Sequence, residues 1–142
     1  MTNTQAAVRS FASLAVGEHA SFSRTITVDD VDAFAAVSGD KNPLHTDDGY
    51  ATTTQFGGRV VHGMFLGALV SQLVGMQLPG RNALLVKTLL EFKHPVMIGD
   101  TVTVAGTLTR KSEATKLVTV DLAITVGDTK VAQGEVVVSV LA

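Results

Sequence analysis

Apolar and polar residues alternate with a period of two along the second half of the chain. This alternation is typical of antiparallel strands with one buried face. A further β-rich run covers residues 83–93, and the polar and β-branched stretch ASFSRTIT at 20–27 predicts a first strand. Together these segments predict about five strands. The alternating apolar positions are Val102, Val104 and Leu108; Val118, Val120, Leu122, Ile124 and Val126; and Val136, Val138 and Val140.

A second pattern precedes these strands, in the stretch HGMFLGALVSQLVGMQL from His62 to Leu78. Its apolar residues cover most of a helical surface, which predicts one long helix buried on nearly all sides. Pro79-Gly80 ends the helix, because proline cannot continue its hydrogen bonds and glycine accepts a left-handed exit. The run is too short, and too often interrupted by polar residues, to predict a membrane span.

Small residues recur every four positions along this helix, at Gly63, Gly67, Ser71 and Gly75. They form a strip that winds slowly around the helix. One interpretation is close packing of a strand against the strip. The other is a groove along which a slim ligand can lie.

The chain before the long helix predicts an irregular start and one short helix. Residues 1–13 have no periodicity and are expected to form a loose tail or lead-in. Thr27 and Asp30 resemble a capping box that opens a helix ending at Ser38-Gly39. The predicted buried face of this helix consists of Val28, Val31, Phe34 and Ala35.

A constrained loop follows, with the sequence DKNPLH. Pro43 pushes Asn42 toward an extended conformation, so this segment is predicted to be non-helical. A brief helical turn is expected from Thr46, with Asp47 and Asp48 near its N-terminus. Gly57-Gly58 loosens the chain before the long helix. The hairpin turn between the last two strands is predicted at Gly127-Asp128.

These elements predict an α+β fold in which an antiparallel sheet wraps one central helix. A chain of 142 residues is expected to form a single domain, residues 1–142, with a substantial core. One sheet cannot cover a helix completely. The apolar surface left over therefore predicts a homodimer.

Composition excludes several classes of function. The net charge is −2, and no basic run indicates a nucleic-acid or anionic-membrane partner. The chain contains no cysteine, which excludes disulfides, thiol nucleophiles and Cys-ligated metal centres. Its N-terminus lacks the charged start and apolar core of a secretory signal, so a soluble cytoplasmic protein is expected.

Two motifs resemble a known family. The segment SGDKNPLH, followed by YATTTQFGGRVVHGM, is similar to the R-specific enoyl-CoA hydratases, the MaoC-like branch of the hotdog superfamily. The resemblance extends from Val-Gly-Glu at 16–18 to the last valine-rich strand. It implies a hotdog fold, usually dimeric. It also implies a hydro-lyase that converts a 2-enoyl thioester of CoA, or of acyl carrier protein, into a 3R-hydroxyacyl thioester without a cofactor or metal.

The resemblance also implies site residues. Asp40 and His45 would form the catalytic pair, since a carboxylate and a neutral imidazole can share one water. Which of the two is the base stays open. Gly63 would supply the backbone N–H that stabilises the enolate-like thioester oxygen. Ser71 matches a serine of the family and would support the site, although a hydroxyl bonded to its own helix is an equal alternative.

Each of these residues has a purely structural alternative. Asp40 can cap a turn, and His45 can be an ordinary loop histidine. His62 is expected to fix the loop entering the long helix, and His94 to lie at a strand end. His19 is outside every motif. Six cations are candidates for contacts with CoA phosphates or for simple solvation: Lys41, Arg59, Lys87, Lys93, Arg110 and Lys111.

Three other functions compete with hydration. Asp40, His45 and His62 can be arranged as a metal triad, which is disfavoured because the motif already accounts for them. A hotdog thioesterase would hydrolyse the acyl-CoA and would not need the Asp40–His45 pair. A non-catalytic acyl-thioester-binding protein would need neither group.

Overall fold

The protein forms one five-stranded antiparallel sheet with a long helix on one face. The computed structural model describes residues 5–142. The strands lie in the order β1-β3-β4-β5-β2, and each neighbouring pair is antiparallel. Their bounds are β1 His19–Thr25, β2 Ala83–Phe92, β3 Thr101–Ser112, β4 Leu117–Val126 and β5 Thr129–Val140. The α+β prediction is confirmed, and β4 and β5 are joined through Gly127-Asp128 as expected.

The long helix (α4) spans Gly63–Met76 and packs its inner face on the alternating apolar positions of the sheet. Gly106 of β3 lies in this contact: a Cβ there would be 2.7 Å from Leu73 Cδ2. The missing side chain therefore lets helix and sheet approach closely. The buried residues of the helix are Phe65, Leu66, Leu69, Val70, Leu73 and Val74.

The outer face of α4 is exposed in this chain, so the prediction of burial on nearly all sides is wrong for a single chain. Met64 is 65% exposed, and Ala68, Ser71 and Gln72 are exposed as well. The reason is geometric, because a single sheet covers only one side of a helix. No helix among residues 5–142 has the length and apolar character that a membrane crossing requires.

The first helix (α1) spans Val28–Ser38 and begins as predicted. Thr27 Oγ1 accepts from the Asp30 N–H, and the Asp30 carboxylate accepts from the Thr27 N–H. Gly39, at φ +78°, ends the helix in the left-handed conformation. Its buried face was predicted correctly at Val31 and Ala35, whereas Val28 is 47% exposed because it lies in the first turn.

Two short helices follow Asn42: one begins in the segment that was predicted to be a loop, and the other is the helical turn predicted after Thr46, with Asp47 as its N-cap. The first (α2) spans Pro43–Thr46, and the second (α3) spans Asp48–Thr52. The prediction that DKNPLH is non-helical is therefore correct only up to Asn42. Proline at the first helical position has the required φ and needs no hydrogen-bond donor, so it starts this helix instead of preventing it.

The N-terminal segment is irregular but packed. Phe11 and Leu14 are buried in the core. The Ala7 N–H donates to Met76 O at 2.9 Å, and the Phe11 N–H donates to Ala142 O at 2.7 Å. The expectation of a loose tail is therefore wrong from Gln5 to Ser13. Residues 1–4, which that expectation also covered, lie outside the described part of the chain.

The sheet has two edges of different character. Edge strand β1 exposes mostly polar residues, whereas edge strand β2 exposes an apolar row beside the uncovered face of α4. A row of unpaired backbone groups flanked by apolar side chains is suited to further association. The exposed apolar residues of β2 are Leu84, Leu85, Val86, Leu89 and Phe92.

Candidate active site

The segment from Asp40 to His45 is shaped by side chains that bond to its own backbone. Asp40 Oδ1 accepts from the Asn42 N–H at 3.2 Å, and Asn42 Oδ1 accepts from the Leu44 N–H at 3.0 Å. Each is a local turn of the kind that Asp and Asn favour. Asn42 thereby caps α2, and His45 becomes the third residue of that helix.

One hydrogen bond fixes the orientation of His45. Its Nδ1 lies 2.6 Å from the carbonyl oxygen of Val60. A carbonyl can only accept, so Nδ1 carries the proton, and the Nε2 of the neutral ring keeps a lone pair. His45 is only partly exposed. It is thus held in the tautomer that can accept a proton at Nε2.

A second histidine lies against the first. The rings of His45 and His62 are stacked, with centroids 4.0 Å apart and planes inclined by 25°. His62 is 2% exposed, and its Nε2 donates to the carbonyl oxygen of Asp40 at 2.9 Å. The expectation that His62 fixes the loop entering the long helix is thus refined: its side chain makes no cap bond to α4 and instead holds the Asp40 segment.

Arg59 performs a similar task from the other side. Its side chain is buried, its Nε donates to the carbonyl oxygen of His45 at 2.5 Å, and its Nη2 donates to Asp32 Oδ1 at 2.5 Å. This ion pair joins α1 to α2. Arg59 is one of the six candidate cations for CoA phosphates, and its burial removes it from that set.

The structure brings together the three residues of the metal-triad alternative, Asp40, His45 and His62. One possible ligand atom from each lies within 4.8 Å of the others. The arrangement nevertheless fits a metal ion poorly. The hydrogen bond that each imidazole makes to a carbonyl oxygen leaves its other nitrogen free, so the obstacle is the orientation of the rings. A metal binds in the plane of an imidazole, and two stacked rings present their remaining nitrogens side by side, not toward one point. The remaining nitrogen of His62 is also buried.

Gly63 lies beside this cluster at the first position of α4. No group among residues 5–142 accepts its N–H, as expected for the first turn of a helix. A Cβ at this position would lie 3.3 Å from Phe92 Cε1. The aromatic ring therefore packs against the glycine, and the N–H stays available beside the positive end of the helix dipole.

A cavity of about 410 Å³ opens between these elements. It contains His45 and Gly63, and also three consecutive residues that the sequence analysis did not place there, Phe92, Lys93 and His94. His94 was expected to be a strand-end residue only. Lys93 was one of the six candidate cations for CoA phosphates, but no local signal places the end of β2 beside His45 and Gly63. The remaining lining residues are Val60, Val61, Leu66 and Pro95.

Ser71 is not brought into this cavity. It lies eight residues beyond Gly63, which corresponds to about 12 Å along the helix. Its side chain is exposed, and within residues 5–142 its hydroxyl makes no hydrogen bond, so the alternative of a bond back to its own helix is wrong. A larger groove of about 830 Å³ lies further along α4, against β1, and contains none of the predicted site residues.

The strip of small residues lies on the open side of α4. Gly67 faces Met64 Cε at 3.3 Å and Leu90 Cδ1 at 3.9 Å, and a Cβ at Gly75 would meet nothing within 4 Å. Side chains of β2 approach two of these glycines, Phe92 at Gly63 and Leu90 at Gly67, so packing of a strand against the strip is confirmed there, whereas within residues 5–142 no strand reaches Gly75. The ligand groove stays a prediction.

Comparison with known proteins agrees with this geometry. A family model described as MaoC like domain matches residues 11–130. The chain is 41% identical over 130 residues to an (R)-specific enoyl-CoA hydratase of Rhodospirillum rubrum, which covers 92% of this chain and 90% of that protein. It is 35% identical over 130 residues to a 3-hydroxybutyryl-CoA dehydratase of Methylorubrum extorquens, covering 92% and 83%.

A solved structure shows the same architecture. The (R)-hydratase of Aeromonas caviae superposes with a TM-score of 0.87 at 41% identity, covering 90% of this chain and 98% of that one. The hotdog arrangement of sheet and central helix is therefore confirmed.

Proposed function

The chain belongs to the MaoC-like dehydratase family, and we propose that it is an (R)-specific enoyl-CoA hydratase, a hydro-lyase that adds water to a trans-2-enoyl thioester. One observation carries the proposal: the Asp40 carboxylate and the His45 ring lie within 4.8 Å of each other, beside the free N–H of Gly63. Two atoms at that separation can hydrogen-bond one water, and the cavity lined by His45 and Gly63 admits a substrate.

The water is held between Asp40 and His45. The Nε2 of His45 has a lone pair, because its Nδ1 donates to Val60. Nε2 takes one proton from the water as the oxygen forms its bond to C3 of the enoyl group. The imidazolium then returns this proton to C2, so the double bond gains one water in total and the site is regenerated. Asp40 accepts a hydrogen bond from the second hydrogen of the water, which stays on the oxygen as the product hydroxyl, and its negative charge lies next to the imidazolium.

Gly63 stabilises the charge that develops on the thioester oxygen. As C3 is attacked, electron density moves from the double bond toward this oxygen, which becomes enolate-like. An unpaired backbone N–H at a helix N-terminus is a preorganised donor for such an oxygen, worth about 3 kcal/mol in the transition state. The absence of a side chain at Gly63 allows the carbonyl to approach.

The same site catalyses the reverse dehydration, because both directions share one transition state. The direction depends on the ratio of the two thioesters. The Methylorubrum extorquens relative carries the name of the dehydration reaction, which agrees with this reversibility.

Lys93 and His94 lie where the thioester carrier would enter. Both line the cavity, and Lys93 Nζ is held 3.2 Å from Glu91 Oε2 at the surface. A cation at this mouth suits the phosphates of CoA or of the phosphopantetheine arm of acyl carrier protein. Of the remaining candidate cations, Lys111 is engaged with Phe11 O and Leu14 O.

We also propose that the protein is a homodimer joined through β2. The exposed apolar residues of this edge strand and exposed Met64 of α4 lie near the candidate site, where Phe92 contacts Gly63. Pairing of β2 with its copy would satisfy the unpaired backbone edge.

Light scattering should show a dimer at micromolar concentration. Val86→Lys places a charge among the exposed apolar residues of β2 and should shift the equilibrium toward monomer. A wild-type protein that is only monomeric would contradict the proposal.

The activity is tested with crotonyl-CoA. Hydration should abolish the enoyl absorbance without releasing free thiol, and chiral analysis should identify the product as the 3R-hydroxy thioester. Release of free CoA would instead identify a thioesterase, and an unchanged substrate that nevertheless binds would identify an acyl-thioester-binding protein. Repeating the assay over a series of chain lengths, on CoA and on acyl carrier protein, identifies the preferred acyl group and carrier.

A further inference from the structure

One buried histidine takes no part in the chemistry described above. His62 is almost completely buried, and its Nδ1 has no hydrogen-bond partner among residues 5–142. A buried polar atom without a partner costs stability. His62 also occupies the N-cap of α4 without capping it, although Ser, Thr, Asp or Asn would cap a helix there. The stability of α4 therefore does not explain this residue.

The contacts of His62 all lead to the candidate site. Its Nε2–H donates to the backbone carbonyl of Asp40, and one face of its ring is stacked on His45. The ring of Phe34 contacts it edge-on, with centroids 4.9 Å apart. The side chain is thus fixed from α1 and spans the two residues whose relative position sets where a water binds.

We propose that His62 is a positioning residue for the Asp40–His45 pair, an inference that rests on the proposed hydratase function. Its Nε2–H fixes the main chain of Asp40, and its ring fixes the plane of the His45 imidazole. Only an imidazole does both at this position. A phenylalanine retains the ring but no donor, and a glutamine retains a donor in a similar place but no ring.

The unpartnered Nδ1 follows from this double role. Because Nε2 must reach the Asp40 carbonyl while the ring lies flat on His45, Nδ1 points to a place without a donor. A proton on Nδ1 would be a buried donor without an acceptor, so these contacts favour the Nε2–H tautomer. This suits the mechanism, since His45 becomes positively charged during turnover and a second charge 4.0 Å away would oppose it. The other charged groups at the site are Asp40, the Arg59–Asp32 ion pair and, at the cavity, Lys93 with its partner Glu91.

The proposal is tested by two variants in two backgrounds. His62→Phe and His62→Gln should each lower kcat for crotonyl-CoA by roughly 10- to 100-fold, with KM changed by less than about threefold, because misplacement of the pair affects the transition state more than binding. In an Asp40→Asn background, the same changes should lower kcat by less than about threefold. The carboxylate that His62 positions is already absent there, so the two losses should not add. His19→Gln, at an exposed histidine outside the site, should leave kcat unchanged.

Equal losses in both backgrounds would show a structural role for His62 and overturn the proposal, as would full activity in both variants. Thermal melts give the folded fraction of each variant, and if one variant does not fold the other still provides the comparison.

A readout that does not depend on activity separates this inference from the proposed function. Long-range ¹H–¹⁵N spectra of the wild-type protein should show His62 as the neutral Nε2–H tautomer. An Nδ1–H tautomer, or an imidazolium at neutral pH, would overturn the positioning contact even in an active enzyme. A wild-type protein that hydrates no enoyl thioester but has the expected tautomer would contradict only the proposed function, and His62 would then lose its catalytic purpose but keep its contact.

Discussion

The Nδ1 of His45 lies 2.6 Å from the carbonyl oxygen of Val60. This contact joins the short helix α2 to the extended segment that leads into α4. Val60 is itself held in place, since its N–H donates to Leu44 O at 3.2 Å and the next N–H, of Val61, donates to Val96 O at 2.7 Å. The main chain around Val60, which orients the His45 ring and the lone pair on its Nε2, is therefore itself held by hydrogen bonds on two sides.

The first prediction concerns the pair itself. Asp40→Asn removes the negative charge next to the imidazolium, and His45→Gln removes the base. Each change should lower kcat for crotonyl-CoA by roughly 10²–10⁴-fold, and the double variant should be little worse than either single one, because the groups act as a unit. Steady-state hydration measured beside thermal melts checks this. Turnover near the wild-type value in a folded Asp40→Asn protein would refute the assigned role.

The second prediction concerns the backbone donor. In Gly63→Ala, the new Cβ would lie 3.3 Å from Phe92 Cε1, and it would crowd the space that the thioester carbonyl needs. We expect kcat/KM to fall by roughly 10-fold or more, without a lower melting temperature. Gly67→Ala is the matched control, because its Cβ meets the flexible end of Met64 at 3.3 Å. Similar kinetic losses in both variants would show that the effect is not specific to Gly63.

The third prediction compares a glycine in the contact between helix and sheet with one on the open side of α4. In Gly106→Ala, the Cβ would lie 2.7 Å from Leu73 Cδ2 and 2.8 Å from Val120 Cγ1. Helix and sheet would have to separate, so the free energy of unfolding should fall by about 1–3 kcal/mol. In Gly75→Ala, the added Cβ would have no neighbour within 4 Å. This change should raise the free energy of unfolding by up to about 1 kcal/mol, since alanine favours the helix. Denaturant unfolding measures both, and a stable Gly106→Ala protein would disprove the close contact.

The fourth prediction concerns acid stability. A hydrogen bond from Arg24 lowers the pKa of Asp30 in the folded protein, and the bond from the Thr27 N–H lowers it further. Because the folded pKa lies below the unfolded value of about 3.9, this stabilisation is complete above that pH and is lost as the pH falls through the folded pKa. The free energy of unfolding of the Asp30→Asn variant should therefore depend less on pH than that of the wild type below about pH 4.

The same variant should lose about 1 kcal/mol of stability at neutral pH, through the weakened cap of α1. Asp29→Asn, at the exposed neighbouring position of the same helical turn, is the control and should keep the wild-type pH dependence. Urea unfolding at a series of pH values distinguishes the two variants. Equal slopes for Asp30→Asn and the wild type would show that the Arg24 contact does not act in solution.

The sequence determined the elements of this fold and the pair at its candidate site. Period-two alternation predicts strands because successive side chains of a strand point to opposite faces. The capping box at Thr27 and the glycine exit at Gly39 are equally local, since each depends on residues three or four positions apart. Asp40, His45 and Gly63 were predicted from the resemblance of two segments to a known family, since the Asp40–His45 spacing alone would not have indicated a site.

Only the tertiary structure decided what surrounds that pair. Arg59 reaches the His45 carbonyl across 14 residues of chain, His62 reaches the Asp40 carbonyl across 22, and Phe92 comes to Gly63 from an edge strand. Neither contact with a backbone carbonyl has a sequence signature, because every residue carries a carbonyl. The exposed face of α4 was also decided in this way, because its apolar residues look alike in sequence and only the position of the sheet determines which of them are covered.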